Sequence, residues 1–318
     1  MPPIILLTGK SGQVGGELFP LLERLGEVAA PAHAELDLAD PSSIRRVVRE
    51  LRPSLIVNAA AYTAVDQAES DEPRARAVNA VAPGILAEET KSLGALLVHY
   101  STDYVFDGSQ RSPYEESAPT SPLGVYGRTK LAGEDAIRSS GAAHLLFRTA
   151  WVYGTSGKNF LLTILRLASQ REELRIVSDQ SGAPTWSRAI ASTTASILHR
   201  FPLAALAEQT GIYHLTAAGE TTWYDFARAI LEDCSDPSRL GPWFAHATSG
   251  RPLIAKSILP ISTADYPTPA RRPAYSVLSN RKLLQTFSLA LPDWRSQLRQ
   301  ALLDERDEAL LSKTVRQK

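Results

Sequence analysis

The first two-thirds of the chain alternates short apolar runs with amphipathic stretches of helical length. "IILLTG" at 4–9 predicts a buried strand and "VGGELFPLLERLG" the helix after it. "EVAAPA" at 27–32 predicts a weaker second strand, and "PSSIRRVVRELRP" at 41–53 a helix opened by Pro41 and Ser42. "LIVNAAA" at 55–61 predicts a third strand, 72–93 a long helix and "ALLVHYS" at 95–101 a fourth strand. A helix over 125–139 and a fifth strand in "HLLFRTAWV" at 144–152 complete the series. Strands that are apolar on both faces, separated by helix-length segments, need cover on both sides and so imply a parallel sheet. The expected class is α/β, a Rossmann-like doubly wound parallel sheet whose ligands gather at the carboxyl ends of the strands.

Beyond residue 155 the rhythm loosens. Helices are expected at 159–170, 187–200 and 221–233, with strands in "ELRIVSDQ" and "GIYHLTA", before prolines cluster in "ILPISTADYPTPARRP". This half is expected to carry a smaller C-terminal α/β lobe that shapes a substrate pocket. The expected division is a dinucleotide-binding domain at 1–155 with parts of 171–235, and a substrate-binding lobe at 156–170 with 236–311. Residues 312–318 are expected to be a disordered tail.

Composition narrows the partners. Lys and Arg number 34, as do Asp and Glu, so no net field draws the chain to nucleic acid or an anionic membrane. No signal peptide or membrane-length apolar run is visible, and the expected location is the cytoplasm. The single cysteine, Cys234, excludes an intrachain disulfide and is expected to be a buried thiol rather than a nucleophile. Six histidines (33, 99, 144, 199, 214 and 246) form no metal-ligating cluster, so no zinc is expected, and His99 is read as a core residue. No Gly-x-Ser-x-Gly elbow occurs.

The first strand runs into "TGKSGQVG", which places Gly9, Gly12 and Gly15 in a Gly-x-x-Gly-x-x-Gly spacing. Such glycines allow a tight turn and close backbone approach to a pyrophosphate, while the helix amino end offers free N–H groups. A P-loop would need a glycine where Ile4 stands, so phosphoryl transfer is not expected. Candidate cofactor contacts are Gly9, Lys10, Ser11, Gly12, Gln13, Val14 and Gly15, then Ala59, Ala60, Ala61, Tyr62 and Thr63 after the third strand. Asp37 and Leu38 are expected to flank the adenine. No acid appears at the end of the second strand before Glu35, which removes a repulsion against a 2′-phosphate. NADPH is therefore favoured, NADH stays open, and His33 is a candidate near the phosphate.

The fourth strand ends in "YSTDYVFDG", bringing Ser101, Thr102 and Asp103 to the expected cleft. Tyr126 and Lys130 then stand four apart on a helix, sharing one face. A free phenol titrates near 10 and is a poor acid at neutral pH, whereas a nearby ammonium stabilises the phenolate and brings its pKa down. Thr102, Tyr126 and Lys130 together suit protonation of a carbonyl oxygen while a nicotinamide delivers hydride to the carbon.

These motifs, with "NAAAYTAVDQAES", "SPLGVYGRTKLAGE", "FRTAWVYG", "DQSGAPT" and "YPTPARRP", resemble in order the extended short-chain dehydrogenase/reductases. Within that group the chain is similar, over about residues 4–300, to the dTDP-4-dehydrorhamnose reductase family. The resemblance implies hydride transfer from NADPH or NADH to C4 of a dTDP-4-keto sugar. It implies Tyr126 as proton donor, Lys130 as the group that tunes it and holds the nicotinamide ribose, and Thr102 as its assistant. Thr102, Asp103, Tyr126 and Trp151 would meet the sugar, with Asn159 and Phe160 near the nucleotide. The "YPTPARRP" loop would close over the diphosphate with Arg271 or Arg272. Some relatives dimerise through a magnesium ion held by glutamates. Glu17 matches one such position but Arg188 and Arg295 stand at the others, so no bound metal is expected, and a monomer or weak homodimer is. Two alternatives remain: a non-catalytic regulatory subunit of the methionine adenosyltransferase type, and another nucleotide-sugar epimerase, dehydratase or reductase.

Overall fold

The computed structural model describes residues 2–236 and 240–306. Six parallel strands form the central sheet: β1 (Ile4–Thr8), β2 (Glu27–Ala29), β3 (Leu55–Asn58), β4 (Leu96–Thr102), β5 (Ala143–Thr149) and an edge strand, Gly211–His214. Their order is edge strand, β5, β4, β3, β1, β2. The order reverses at β1, which lies between β3 and β2, so a crevice opens at the carboxyl ends of β1 and β3.

Alternation within each strand decides which layer each side chain joins. Ile5, Leu7, Val57, Val98 and Phe147 enter one buried cluster. Their neighbours Leu6, Ile56, Leu97 and Leu146 enter another on the opposite face. The continuous apolar runs read from the sequence are thus strands covered on both sides.

The long helix at 72–93 is interrupted where the sequence suggests nothing unusual. An α-helical start, Glu72–Arg76, passes into a π-helical turn, Ala77–Val81, before Ala82–Leu93 resumes. Pro83 has no N–H to complete the ladder, which suits a widened turn just ahead of it. The turn serves the site: Asn79 Oδ1 accepts from the Tyr62 N–H at 2.9 Å and its amide donates to the Tyr62 carbonyl at 3.0 Å. Gly133 lets the helix Val125–Ser140 lie against this turn, because a Cβ there would stand 2.1 Å from the Asn79 carbonyl oxygen.

A separate core gathers Leu161, Leu165, Trp186, Phe226, Ile230, Phe244 and Leu298. Its helices are Phe160–Ala168, Trp223–Asp233, Trp243–Thr248 and Trp294–Leu302, beside a parallel pair of strands, Glu173–Val177 and Ser257–Ile261. The second of those strands contains Pro260 and is largely exposed, so its sequence carries no strand pattern. The expected lobe boundary needs one correction. Leu283, Phe287 and Leu291 pack into the core of the main sheet, not the separate one, and Lys282 Nζ donates to the Ile212 carbonyl at 2.7 Å. The segment around 281–291 closes the sheet's edge, while the expected tail at 312–318 lies outside the described residues. Among the described residues no helix is long and apolar enough to cross a membrane.

Candidate active site

The turn after β1 is built from backbone. Gly9 has φ +74°, a left-handed conformation, and a Cβ on it would fall 2.6 Å from the Ala60 nitrogen. A Cβ on Gly15 would lie 2.1 Å from the Gly9 carbonyl oxygen. The helix Gln13–Leu22 starts at Gly12 with no side chain capping it. Its first N–H groups and dipole are therefore available to a diphosphate, and the small residues Ala59 and Ala60 border the same turn. This cradle fits a dinucleotide.

Other expected cofactor contacts sit around it in varied ways. Tyr62 is clamped by Asn79, and its hydroxyl donates to Asp71 Oδ2 at 3.2 Å, while Thr63 is exposed. Lys10 Nζ lies 3.3 Å from the centre of the Phe19 ring. Gln13 Oε1 accepts from the Asn159 amide at 2.9 Å, and that amide also reaches the carbonyls of Gly154 and Ser156. Asn159 caps the helix Phe160–Ala168 as well, through the Leu162 N–H. Its amide is thus engaged in joining the glycine turn to the second core. Leu38 is buried among Ile44 and Val47, Asp37 accepts from the Ala39 N–H at 2.8 Å, and exposed His33 lies 3.9 Å from Asp37.

The end of β4 carries buried side-chain chemistry. Thr102 Oγ1 donates to Asp103 Oδ1 at 3.1 Å and accepts from the Tyr104 N–H at 3.1 Å, fixing the turn that follows the strand. Tyr126 is half-buried as a residue, but its hydroxyl lies in hydrogen-bonding reach of Thr102 and near Asp103. Burial pushes the phenol up to about 12, against the Thr102 hydrogen bond. Burial also pushes the Asp103 carboxyl up to about 7, with Ser276 and Thr102 opposing. The Tyr104 ring meets that of Tyr126 edge-on, 5.8 Å between centroids.

Lys130 departs from the sequence-based expectation. Its Nζ donates to the Tyr100 carbonyl at 2.5 Å and stands 3.3 Å from His99 Nε2; among the described residues no hydrogen bond joins it to Tyr126. Burial is the largest influence on the Tyr126 phenol and raises it, against the lowering expected from Lys130. Burial acts on both groups, raising the phenol and pushing the Lys130 amine down to about 8 against the attraction of Glu134.

Trp151 is a residue without glycine's freedom held at φ +47°. Its indole stacks on Trp223 at 3.5 Å and 5°, and Gly182 makes room for it, since a Cβ there would stand 2.3 Å from Cε2 of the indole. Such strain needs surrounding structure to enforce it, and here Trp223 and Gly182 do so. Arg272 is committed to Asp66 at 2.8 Å, whereas Arg271 is exposed and has no acidic partner among the described residues. Glu17 holds intrachain pairs with Arg188 at 3.1 Å and Arg306 at 2.8 Å, and Arg295 pairs with Glu232 and Asp233. Cys234 is buried, and burial pushes its thiol up to about 12.

The sequence reading missed Asn79, His99, Asp66 and Trp223 as members of this neighbourhood. Asn79 is hidden in a helix and His99 in a strand; only "TTWYD", a threonine cap before an aromatic, hinted at Trp223.

Residues 3–306 match the family described as RmlD substrate binding domain. The dTDP-4-dehydrorhamnose reductase of Burkholderia thailandensis is 51% identical over 293 residues, covering 92% of this chain and 95% of that one. The enzyme of the same name from Escherichia coli K12 is 45% identical over 296 residues, covering 92% and 94%. Among solved structures, dTDP-4-dehydrorhamnose reductase from Bacillus anthracis in complex with NADP is similar at TM-score 0.82 and 32% identity, covering 95% of this chain and 99% of that one.

Proposed function

Because the chain belongs to the dTDP-4-dehydrorhamnose reductase family, we propose that it reduces the C4 keto group of dTDP-4-dehydro-L-rhamnose to give dTDP-L-rhamnose. It is an oxidoreductase that uses NADPH, and NADH stays open as a donor. The observation that carries the reading is that two sets of candidate residues stand at the carboxyl ends of strands in one parallel sheet: the uncapped glycine turn after β1, and the Thr102–Tyr126–Lys130 set beyond β4.

When bound, the reduced nicotinamide supplies a hydride to the C4 carbon. The chain supplies the proton. A phenol held near 12 keeps its proton at neutral pH, so Tyr126 is loaded as an acid when the substrate arrives. It hands that proton to the C4 oxygen as the carbonyl becomes an alcohol, with the Thr102 hydroxyl sharing the oxygen. Negative charge left on Tyr126 is opposed by the Lys130 amine one helical turn away, which titrates near 8 and so carries charge at neutral pH. Asp103, Trp151 and Arg271 are assigned to the sugar and diphosphate, and Asn159 to the joint beside them. Gly9 to Gly15 with Ala59 to Thr63 are assigned to the cofactor. The cytoplasm and a monomer or weak homodimer remain our reading of its setting.

The test is a coupled assay that supplies the 4-keto dTDP sugar with NADPH or NADH in turn and follows loss of reduced-cofactor absorbance. Substrate-dependent oxidation is expected, faster with NADPH. Its absence with both donors in a folded sample would overturn the proposal and favour a regulatory subunit.

A further inference from the structure

Behind Lys130 a chain of hydrogen bonds crosses the sheet. Thr8 Oγ1, at the end of β1, donates to Asn58 Oδ1 at 2.6 Å. The Asn58 amide lies 3.0 Å from His99 Nδ1, and His99 Nε2 lies 3.3 Å from Lys130 Nζ. Thr8, Asn58, His99 and Lys130 are each at most 2% exposed, so bulk water does not substitute for any link. At the far end Thr8 Oγ1 accepts from the Ala60 N–H at 3.4 Å, and Thr8 directly precedes Gly9 of the cofactor turn.

Each link has one proton to place. A neutral imidazole accepting from Asn58 at Nδ1 carries its proton on Nε2. Two N–H donors cannot share one hydrogen bond, so Lys130 then accepts as a neutral amine. When Lys130 is an ammonium it donates to Nε2 and the ring proton moves to Nδ1. Asn58 then offers its oxygen to the ring and its amide to Thr8. A proton gained at Lys130 therefore reverses every link as far as the glycine turn.

We propose that His99 is a positioning residue that ties the charge of Lys130 to the hydrogen bonding of the cofactor turn. The linkage is reciprocal: what favours the ammonium arrangement at one end favours it at the other. The proposal rests on reading Lys130 as the cation of the catalytic set. Other ionisable groups near this chain are Glu134, held by Arg148 of β5 at 2.6 Å, and His144, kept neutral by burial. Tyr126 and Asp103 complete the set around the lysine.

The experiment follows the Lys130 side chain by carbon-13 NMR titration of the full-length protein, with the pH dependence of the NADPH dissociation constant alongside. Asn58→Asp offers only acceptors, which locks the ring proton on Nδ1 and Lys130 as the ammonium. Its lysine midpoint should rise by about one pH unit. In a His99→Phe background the same substitution should move it by less than about a third of that, the mark of coupling through the ring. The pH above which NADPH binding weakens should move with the midpoint. An equal shift in both backgrounds, or none in either, would overturn the proposal. His99→Asn, too short to span both neighbours, serves in the same cycle if the Phe variant does not fold. A lysine midpoint that moves as expected while the pH profile of turnover stays fixed would uphold the linkage and refute the catalytic role of Lys130.

Discussion

The turn after β1 and the strand end after β4 stand at the same end of one parallel sheet yet are built on opposite principles. The first is shaped by what is missing: Gly9 and Gly15 leave no room for a Cβ, and no side chain caps the helix. The second is crowded with titratable groups that burial has moved, Asp103 and Tyr126 upward and Lys130 downward. A cofactor common to many reactions can be held by backbone, whereas a proton must be held by side chains whose surroundings set its affinity. Steric changes should therefore break the first region at any pH, and charge changes should alter the second in a pH-dependent way.

The largest effect belongs to the side-chain region. Tyr126→Phe should lower kcat about a thousandfold while leaving the NADPH dissociation constant within about threefold. Steady-state assay and fluorescence titration of one preparation check both, and near-normal turnover would remove Tyr126 from the chemistry. The matching blow to the turn is Gly15→Ala, whose added methyl meets the Gly9 carbonyl oxygen at 2.1 Å. NADPH affinity should fall about a hundredfold, equivalent to roughly 3 kcal/mol. Gly16→Ala is its control, since that Cβ meets Lys10 only at 3.3 Å and affinity should hold within about threefold.

Asp103 sharpens the contrast through stability. Its carboxyl titrates near 7 in the folded chain, against an ordinary 3.8, so the folded state binds the extra proton between those values. Stability from this group is full below the unfolded value and is lost as pH rises through about 7. Asp103→Asn should therefore raise the unfolding free energy at pH 8 by on the order of 2 kcal/mol, with the gain gone near pH 4. Denaturant titrations at the two pH values check it, and a variant less stable at pH 8 would contradict the burial account. The smallest effect is at the ion pair of Arg272 with Asp66. Arg272→Ala removes the partly exposed pair with Asp66 and should cost about 1 kcal/mol, with NADPH affinity unchanged.

The same contrast explains what the sequence made legible. Glycines that avoid a backbone clash are visible as letters, and so are Thr102, Tyr126 and Lys130, because their types and spacing follow from the strand and helix that carry them. Consecutive apolar residues such as Ile5, Leu6 and Leu7 likewise announced a sheet covered on both sides. The direction in which Lys130 extends was not legible. It depends on the Tyr100 carbonyl and His99, partners some thirty positions earlier that no local pattern joins to it. The π-helical turn that lets Asn79 clamp Tyr62, and the passage of Leu283 and Phe287 to the sheet's edge, are likewise long-range packing outcomes. Pro260 disguised a strand for a simpler reason, since proline counts against one in any single-sequence reading.

The central claim is that the Tyr126 hydroxyl gives its proton to the C4 oxygen. A crystal structure of the protein with NADP⁺ and dTDP-L-rhamnose tests it most directly. The account predicts the Tyr126 Oη within about 2.6–3.2 Å of the sugar's O4, with Thr102 beside the same oxygen. An O4 turned toward another donor, with Tyr126 beyond hydrogen-bonding reach, would contradict it.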